Sequence, residues 1–286
     1  MTRIGADLLL LTAALFWGLA FYFQKDAMAY IGPFTFVAAR GLLATLVLAP
    51  LAWREWRHTP GLVRHSILAG TAFFLGAYFQ QAGLVTASVS NAGFLTALYV
   101  VVTPLIAWLL LRHRPGANIW PAIALSFVGT WALGGGTVTG FTGGDVLVGF
   151  SAIFWALHVV LTSRAAALDR PFTFTCLQFA IVAVLAGFAA LLTESTALAP
   201  LVEAAAPILY VGIISSAATF TILVIALRHA APAEAAVLLS TESLFAAAAG
   251  AILLGERLSA LSWTGALLII AAVLLVQTWP RRRAPP

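Results

Sequence analysis

Pro33-Phe34-Thr35-Phe36 returns as Pro171-Phe172-Thr173-Phe174, and Phe16-Trp17 as Phe154-Trp155, each after the same interval (171 − 33 = 154 − 16 = 138). Further along, the interval becomes 143: Leu109-Leu110-Leu111 aligns with Ile252-Leu253-Leu254, and Trp120 with Trp263 (263 − 120 = 143). The chain is therefore a duplication covering nearly its whole length. Each copy carries five apolar stretches of about 20 residues, enough to cross a bilayer. Five is odd, so the second copy enters the membrane from the opposite side to the first. Their shared interface can then be reached from either face in turn.

Composition agrees with a life in lipid. Of 286 residues, 62% are hydrophobic and 9% charged, with a mean hydropathy of +1.01; a soluble domain is roughly 45–50% apolar. The first copy's stretches are 5–27, 34–53, 65–85, 90–111 and 117–133, and the second's 146–161, 172–192, 206–227, 234–254 and 261–277. The reading is an all-α integral membrane protein of ten transmembrane helices in two inverted five-helix repeats. The first repeat is 1–136, a Gly-rich linker 137–145, the second repeat 146–280, and a basic tail 281–286. The first stretch lacks a small-residue cleavage pattern and reads as a retained helix rather than a signal peptide.

The formal charge of +5 comes from arginines whose placement is asymmetric. With the N-terminus inside, Arg3, Arg54, Arg57, Arg64, Arg112, Arg114, Arg164, Arg170, Arg228 and Arg281 to Arg283 fall on the cytoplasmic side, and only Lys25 and Arg257 outside. The positive-inside rule then sets both termini in the cytoplasm. The basic balance serves topology and anionic headgroups; nucleic acid is not an expected partner.

Chemistry of other kinds finds no foothold. The single lysine, Lys25, follows Gln24 and no glycine-rich loop, so no phosphate-binding loop is present. There is no His-Glu-x-x-His pattern, no cysteine–histidine cluster and no Gly-x-Ser-x-Gly elbow. The lone cysteine, Cys176, reads as packing. No enzyme activity and no cofactor is expected.

Polar and aromatic residues inside apolar spans carry the information, because burial costs free energy unless they face the bundle interior or a wet cavity. Four helical stripes at i, i+3/i+4, i+7 stand out: Trp17, Phe21 and Gln24; Trp155, His158 and Thr162; Phe74, Tyr78 and Gln81; Thr96, Tyr99 and Thr103. From them Trp17, Tyr78, Gln81, Tyr99, Trp155 and His158 are the expected substrate-binding residues, against the plain alternative of helix packing. Asn91 and Gln178 read as glue between helices. Glu242 and Arg40 lie deepest among the charges and are candidates for coupling. Arg40 is also near enough to the outer surface to snorkel, or to hold a substrate carboxylate. Pro104 is expected to kink its span.

These residues resemble the EamA-type transporters of the drug/metabolite transporter superfamily. The likeness rests on Phe16-Trp17-Gly18 with Lys25 closing the first helix, Pro33-Phe34-Thr35-Phe36 leading to Arg40, and Gly255-Glu256-Arg257-Leu258 ending the ninth. It departs at Glu242-Ser243, where the family has Glu-Pro. Within the family the aromatic stripes are most similar to those of bacterial aromatic amino-acid exporters. The resemblance implies a secondary transporter in a bacterial inner membrane, moving amino acids, aromatic ones among them, outward through a central cavity. Alternatives are the same fold moving nucleotide sugars, polyamines or cationic drugs, and more remotely an intramembrane enzyme or lipid sensor.

Overall fold

The computed structural model describes residues 1–112, 116–117, 119–136, 142–195, 197–253 and 258–278. Gly140, Arg114, Gly255-Glu256-Arg257 and the tail 281–286 lie outside them. Every regular element among the described residues is helical. The first half holds α1 Arg3–Ala27, α2 Pro33–Glu55, α3 Leu62–Leu84, α4 Val89–Thr96, α5 Tyr99–Leu111 and α6 Ile119–Leu133. The second holds α7 Gly143–Ala166, α8 Pro171–Thr193, the short α9 Leu198–Glu203, α10 Ala205–Leu209, a π-helical stretch Tyr210–Ala218, α11 Thr219–Ala226, α12 Pro232–Leu239, α13 Glu242–Leu253 and α14 Ala260–Thr278. Eight helical runs are long and apolar enough to cross a membrane, counting 91–111 and 205–226 as single runs, and α6 is a shorter apolar helix. The remaining apolar stretch of the sequence is covered by α12 and α13.

The repeated Pro-Phe-Thr-Phe motif gains its physical meaning at the junction of α2 and α8. Proline begins each helix, where its missing N–H is no loss. The next free N–H groups need acceptors, and each helix finds them on the other. The Glu194 carboxylate, just past the end of α8, accepts from Phe34 N at 2.9 Å, Thr35 N at 2.8 Å and Thr35 Oγ1 at 2.7 Å. Reciprocally, Glu55 Oε2 at the end of α2 accepts from Thr173 N at 2.6 Å and Thr173 Oγ1 at 2.8 Å. The two helices therefore run antiparallel, and each carboxylate also meets the positive end of a helix dipole.

Two spans are interrupted, at matching places. In the first half the turn between α4 and α5 is closed by bonds from Leu98 N to Leu95 O, Val100 N to Ala97 O and Val101 N to Leu98 O. In the second, Thr241 N, Ser243 N and Leu244 N donate to Leu238 O, Ser240 O and Thr241 O, each 143 positions on (241 − 98 = 143). Pro104 stands inside an unbroken α5 from Tyr99; the break in the span lies before it, between α4 and α5, and recurs in the second half where Ala247 stands in the proline's place. Glu242-Ser243 keeps the same tight turn without a proline.

The π-helical stretch explains part of the change of interval. A Cβ on Gly70 would meet Ile181 Cβ of α8 at 3.1 Å, and one on Gly212 would meet Leu43 Cβ of α2 at 3.0 Å. Leu43 and Ile181 are 138 apart, but these glycines are 142 apart (212 − 70 = 142), and the helix breaks beyond are 143 apart. One extra residue is taken up inside Tyr210–Ala218, as a π turn permits. Thr219 Oγ1 donates to Ile214 O at 2.7 Å, bonding to the carbonyl five residues back.

Candidate functional site

The helical period brings side chains from seven spans to line one open cavity of about 520 Å³. From α1 come Trp17, Phe21 and Gln24, the whole of one predicted stripe; from α7 come Trp155, His158 and Val159. The interrupted spans present Thr96 and Tyr99 on one side, Leu239 and Glu242 on the other. Tyr99 and Glu242 each begin the helix after a break, so they hold equivalent positions in the two halves (242 − 99 = 143). Arg40 of α2, Gln80 of α3, and Ser215, Phe220 and Leu223 complete the wall.

Close approach of α1 to α13 depends on Gly18. A Cβ there would stand 2.6 Å from both the Glu242 carbonyl and Phe245 Cβ, so any larger residue pushes Glu242 from its place. Ala156 holds the equivalent position in α7 and is fully buried.

A polar chain crosses the site. Trp155 Nε1 donates to Gln80 Oε1 at 2.7 Å, and Gln80 Nε2 to Gln24 Oε1 at 3.2 Å. Gln24 Oε1 also lies 3.5 Å from Arg40 Nη1, while Arg40 Nε donates to Ser216 Oγ at 2.9 Å. Trp17 Nε1 donates instead to the Ser215 carbonyl at 3.0 Å, an oxygen within the π-helical stretch. One turn along α7 from Trp155, His158 Nε2 sits 3.0 Å from Gln178 Oε1 and 3.3 Å from Thr162 Oγ1.

Aromatic rings form the apolar part. Phe220 packs against Trp17 with ring centres 4.6 Å apart, and lies 6.3 Å from Trp155. Phe73 stands edge-on to Trp155 at 5.1 Å and to Phe220 and Phe179 at 4.9 Å, with the Arg40 guanidinium carbon 5.4 Å from its ring centre. The combination of a flat aromatic slot with convergent polar groups suits a small molecule with an apolar body and a polar head.

The structure brings six of the eight residues singled out from the sequence to this wall: Trp17, Tyr99, Trp155 and His158, with Arg40 and Glu242. Tyr78 and Gln81 do not line it. Tyr78 stacks on Phe34 at 4.1 Å, on the side of α3 that faces the start of α2. Gln81 Nε2 donates to the Gln24 carbonyl at 2.7 Å, tying α3 to α1. Its neighbour Gln80 takes the place expected of it, since consecutive residues point about 100° apart around a helix. Arg40 does not snorkel: it is 3% exposed and bonded inside the bundle. Gln24, already marked on its stripe, and Ser215, Ser216 and Phe220, which no motif announced, belong to the site as well.

Cys176 is buried, its Sγ 3.6 Å from the Thr45 carbonyl. Asn91 Nδ2 donates to Asp145 Oδ1 at 3.0 Å, joining α4 to α7. Lys25 Nζ collects the carbonyls of Leu84, Val85 and Ala87 at 2.6, 3.2 and 3.0 Å, closing the end of α3.

Comparison with known proteins matches this architecture. The model of the EamA-like transporter family matches twice, over residues 4–135 and 142–278. An uncharacterized transporter of Archaeoglobus fulgidus is 33% identical over 278 residues, spanning 96% of this chain and 86% of the relative. The uncharacterized transporter YwfM of Bacillus subtilis is 27% identical, spanning 97% and 95%. The uncharacterized inner membrane transporter YicL of Salmonella typhimurium is 28% identical, over 72% and 70%. A solved crystal structure shares the fold over 97% of both chains, with a TM-score of 0.79 at 18% identity. The chain is a multi-pass membrane transporter and belongs to the EamA-like transporter family.

Proposed function

We propose that this chain is a secondary transporter that exports amino acids, aromatic ones among them, across a bacterial inner membrane by alternating access between two inverted five-helix repeats. The observation that carries the substrate class is the cavity itself, with Trp17, Phe220 and Trp155 beside linked amide and guanidinium groups and a separate carboxylate. Burying an aromatic side chain against such rings contributes roughly 1.5 to 3 kcal/mol, and the polar groups can then take the main-chain part that all amino acids share. A dicationic substrate such as a polyamine would meet one carboxylate, Glu242, and an opposing guanidinium, so the lining favours a molecule without net charge. Alternating access finds support in the antiparallel α2–α8 pair and in the breaks that recur at equivalent places, since matched halves of opposite direction can exchange conformations. The arginine asymmetry supports cytoplasmic termini.

The test is uptake of labelled amino acids and other metabolites into proteoliposomes holding the purified protein, with and without a pH gradient. Trp17→Ala, Tyr99→Ala and Trp155→Ala should reduce phenylalanine or tryptophan uptake about 5- to 150-fold, for 1 to 3 kcal/mol of lost contact. His158→Ala should weaken small and aromatic substrates alike. Wild-type rates in all three aromatic variants would end the aromatic-cavity reading. Orientation is checked in a background lacking Cys176 by single cysteines at Tyr30 and Trp56, which should label from outside and inside respectively.

A further inference from the structure

We propose that the cavity recognises a zwitterion through two buried charges that the protein keeps apart: Arg40 takes the substrate's carboxylate, and Glu242, beside Tyr99, takes its ammonium. The inference rests on the amino-acid reading and adds to it the atoms that bind the common head group.

The argument begins with what the two charges lack. Ion pairs among the described residues join Arg3 to Asp7 and to Glu234, and Arg228 to Asp169, all away from the cavity. No described carboxylate lies within 4.0 Å of Arg40. Among the described residues its guanidinium bonds only to the neutral Ser216 and Gln24, and its Nη2 makes no hydrogen bond. Glu242 is 4% exposed, its side chain makes no hydrogen bond to a described residue, and its Oε1 is fully buried without a partner. The Tyr99 hydroxyl, also buried, is likewise unpartnered. Yet Arg40, Glu242 and Tyr99 all line the one cavity.

A buried charge without a counter-charge is strongly unfavourable, and two opposite ones near each other would ordinarily pair. Here they face a shared space of about 520 Å³ instead. A ligand carrying both charges satisfies both walls at once. One carrying a single charge leaves the other group without a counter-charge. The cavity therefore discriminates against acids and amines of the same shape, while Trp17, Phe220 and Trp155 hold the side chain. Arg40 is well suited to the carboxylate, because a guanidinium presents donors in a planar fork that matches it.

Titration calorimetry on the purified full chain in detergent tests this with L-phenylalanine, 3-phenylpropionate and phenethylamine. Phenylalanine should bind on the order of 30-fold or more tighter than either single-charge analogue. Arg40→Gln should lower phenylalanine affinity by at least about 10-fold and raise that of phenethylamine, which then leaves no guanidinium uncompensated. Glu242→Gln should likewise lower phenylalanine affinity and raise that of 3-phenylpropionate, which then meets no opposing carboxylate. If a variant fails to purify as monodisperse protein, the three ligands on the unmodified chain decide alone. Equal binding of phenylalanine and either analogue would overturn the two-charge proposal and leave the amino-acid reading standing. Failure of phenylalanine and of every other amino acid tried to bind would overturn both.

Discussion

The junction of α2 with α8 and the cavity beside it are built from equivalent segments of the two halves, yet they treat the duplication differently. At the junction each half solves the same problem in the same way: Glu194 caps Phe34 and Thr35, and Glu55 caps Thr173. In the cavity equivalent positions have diverged. Arg40 corresponds to Gln178 (178 − 40 = 138), Tyr99 to Glu242, and Trp17 and Trp155 give their indole protons to a backbone carbonyl and to Gln80 respectively. Joining two helices is a requirement both halves share, so both keep the answer. Lining a cavity is not, so equivalent positions there are free to differ between the halves.

Position 18 offers the sharpest break of that comparison. Gly18→Ala should abolish transport and destabilise the fold by about 1 to 3 kcal/mol through overpacking against α13, whereas Ala156→Gly at the equivalent place should lose roughly 1 kcal/mol and keep measurable uptake. Thermal unfolding in detergent, run beside initial uptake rates, checks both. Equal effects would mean the cavity is as symmetric as the junction.

The caps come next. Glu194→Gln and Glu55→Gln each weaken hydrogen bonds to a charged acceptor, which are worth about 1.5 to 3 kcal/mol apiece in full; with the amide oxygen still accepting, each variant should lose on the order of 1 kcal/mol. Their losses should be similar in size and add in the double variant, since the two sites lie at opposite ends of the pair. A large stability loss in one and none in the other would show that the junction, too, has diverged.

Smaller effects test the indoles. Trp155→Phe and Gln80→Leu remove the two ends of one hydrogen bond, so their effects on uptake, each corresponding to about 1 kcal/mol or fivefold, should be strongly non-additive when combined. Trp17→Phe with Gln80→Leu should simply add, because Trp17 donates elsewhere. The smallest expected change is Tyr78→Phe, within about 0.5 kcal/mol in stability and without effect on uptake, since Tyr78 stands on Phe34 outside the cavity.

What could be read without coordinates is what a helix writes in one dimension. Ten apolar stretches, the doubled motifs and the asymmetry of the arginines follow from composition and repetition. The stripes at Trp17–Phe21–Gln24 and Trp155–His158 point the right way because the 3.6-residue period makes a face visible. That Arg40 and Glu242 lie inside the bundle was legible from the cost of charge in lipid, which keeps such residues off the lipid-facing surface.

The tertiary structure decided the rest. Whether Gln80 or Gln81 meets the cavity turns on 100° of rotation, and only packing of α3 against α1 and α7 sets it. The Thr35 motif was visible twice, but its partner Glu194 lies just past the end of another helix, 159 residues on, reached only because α2 and α8 dock antiparallel. Ser215 and Ser216 become site residues through a π turn whose extra residue the sequence records only as part of a changed interval. That Arg40 and Glu242 reach one cavity is a property of how helices pack, and no local pattern along the chain encodes that.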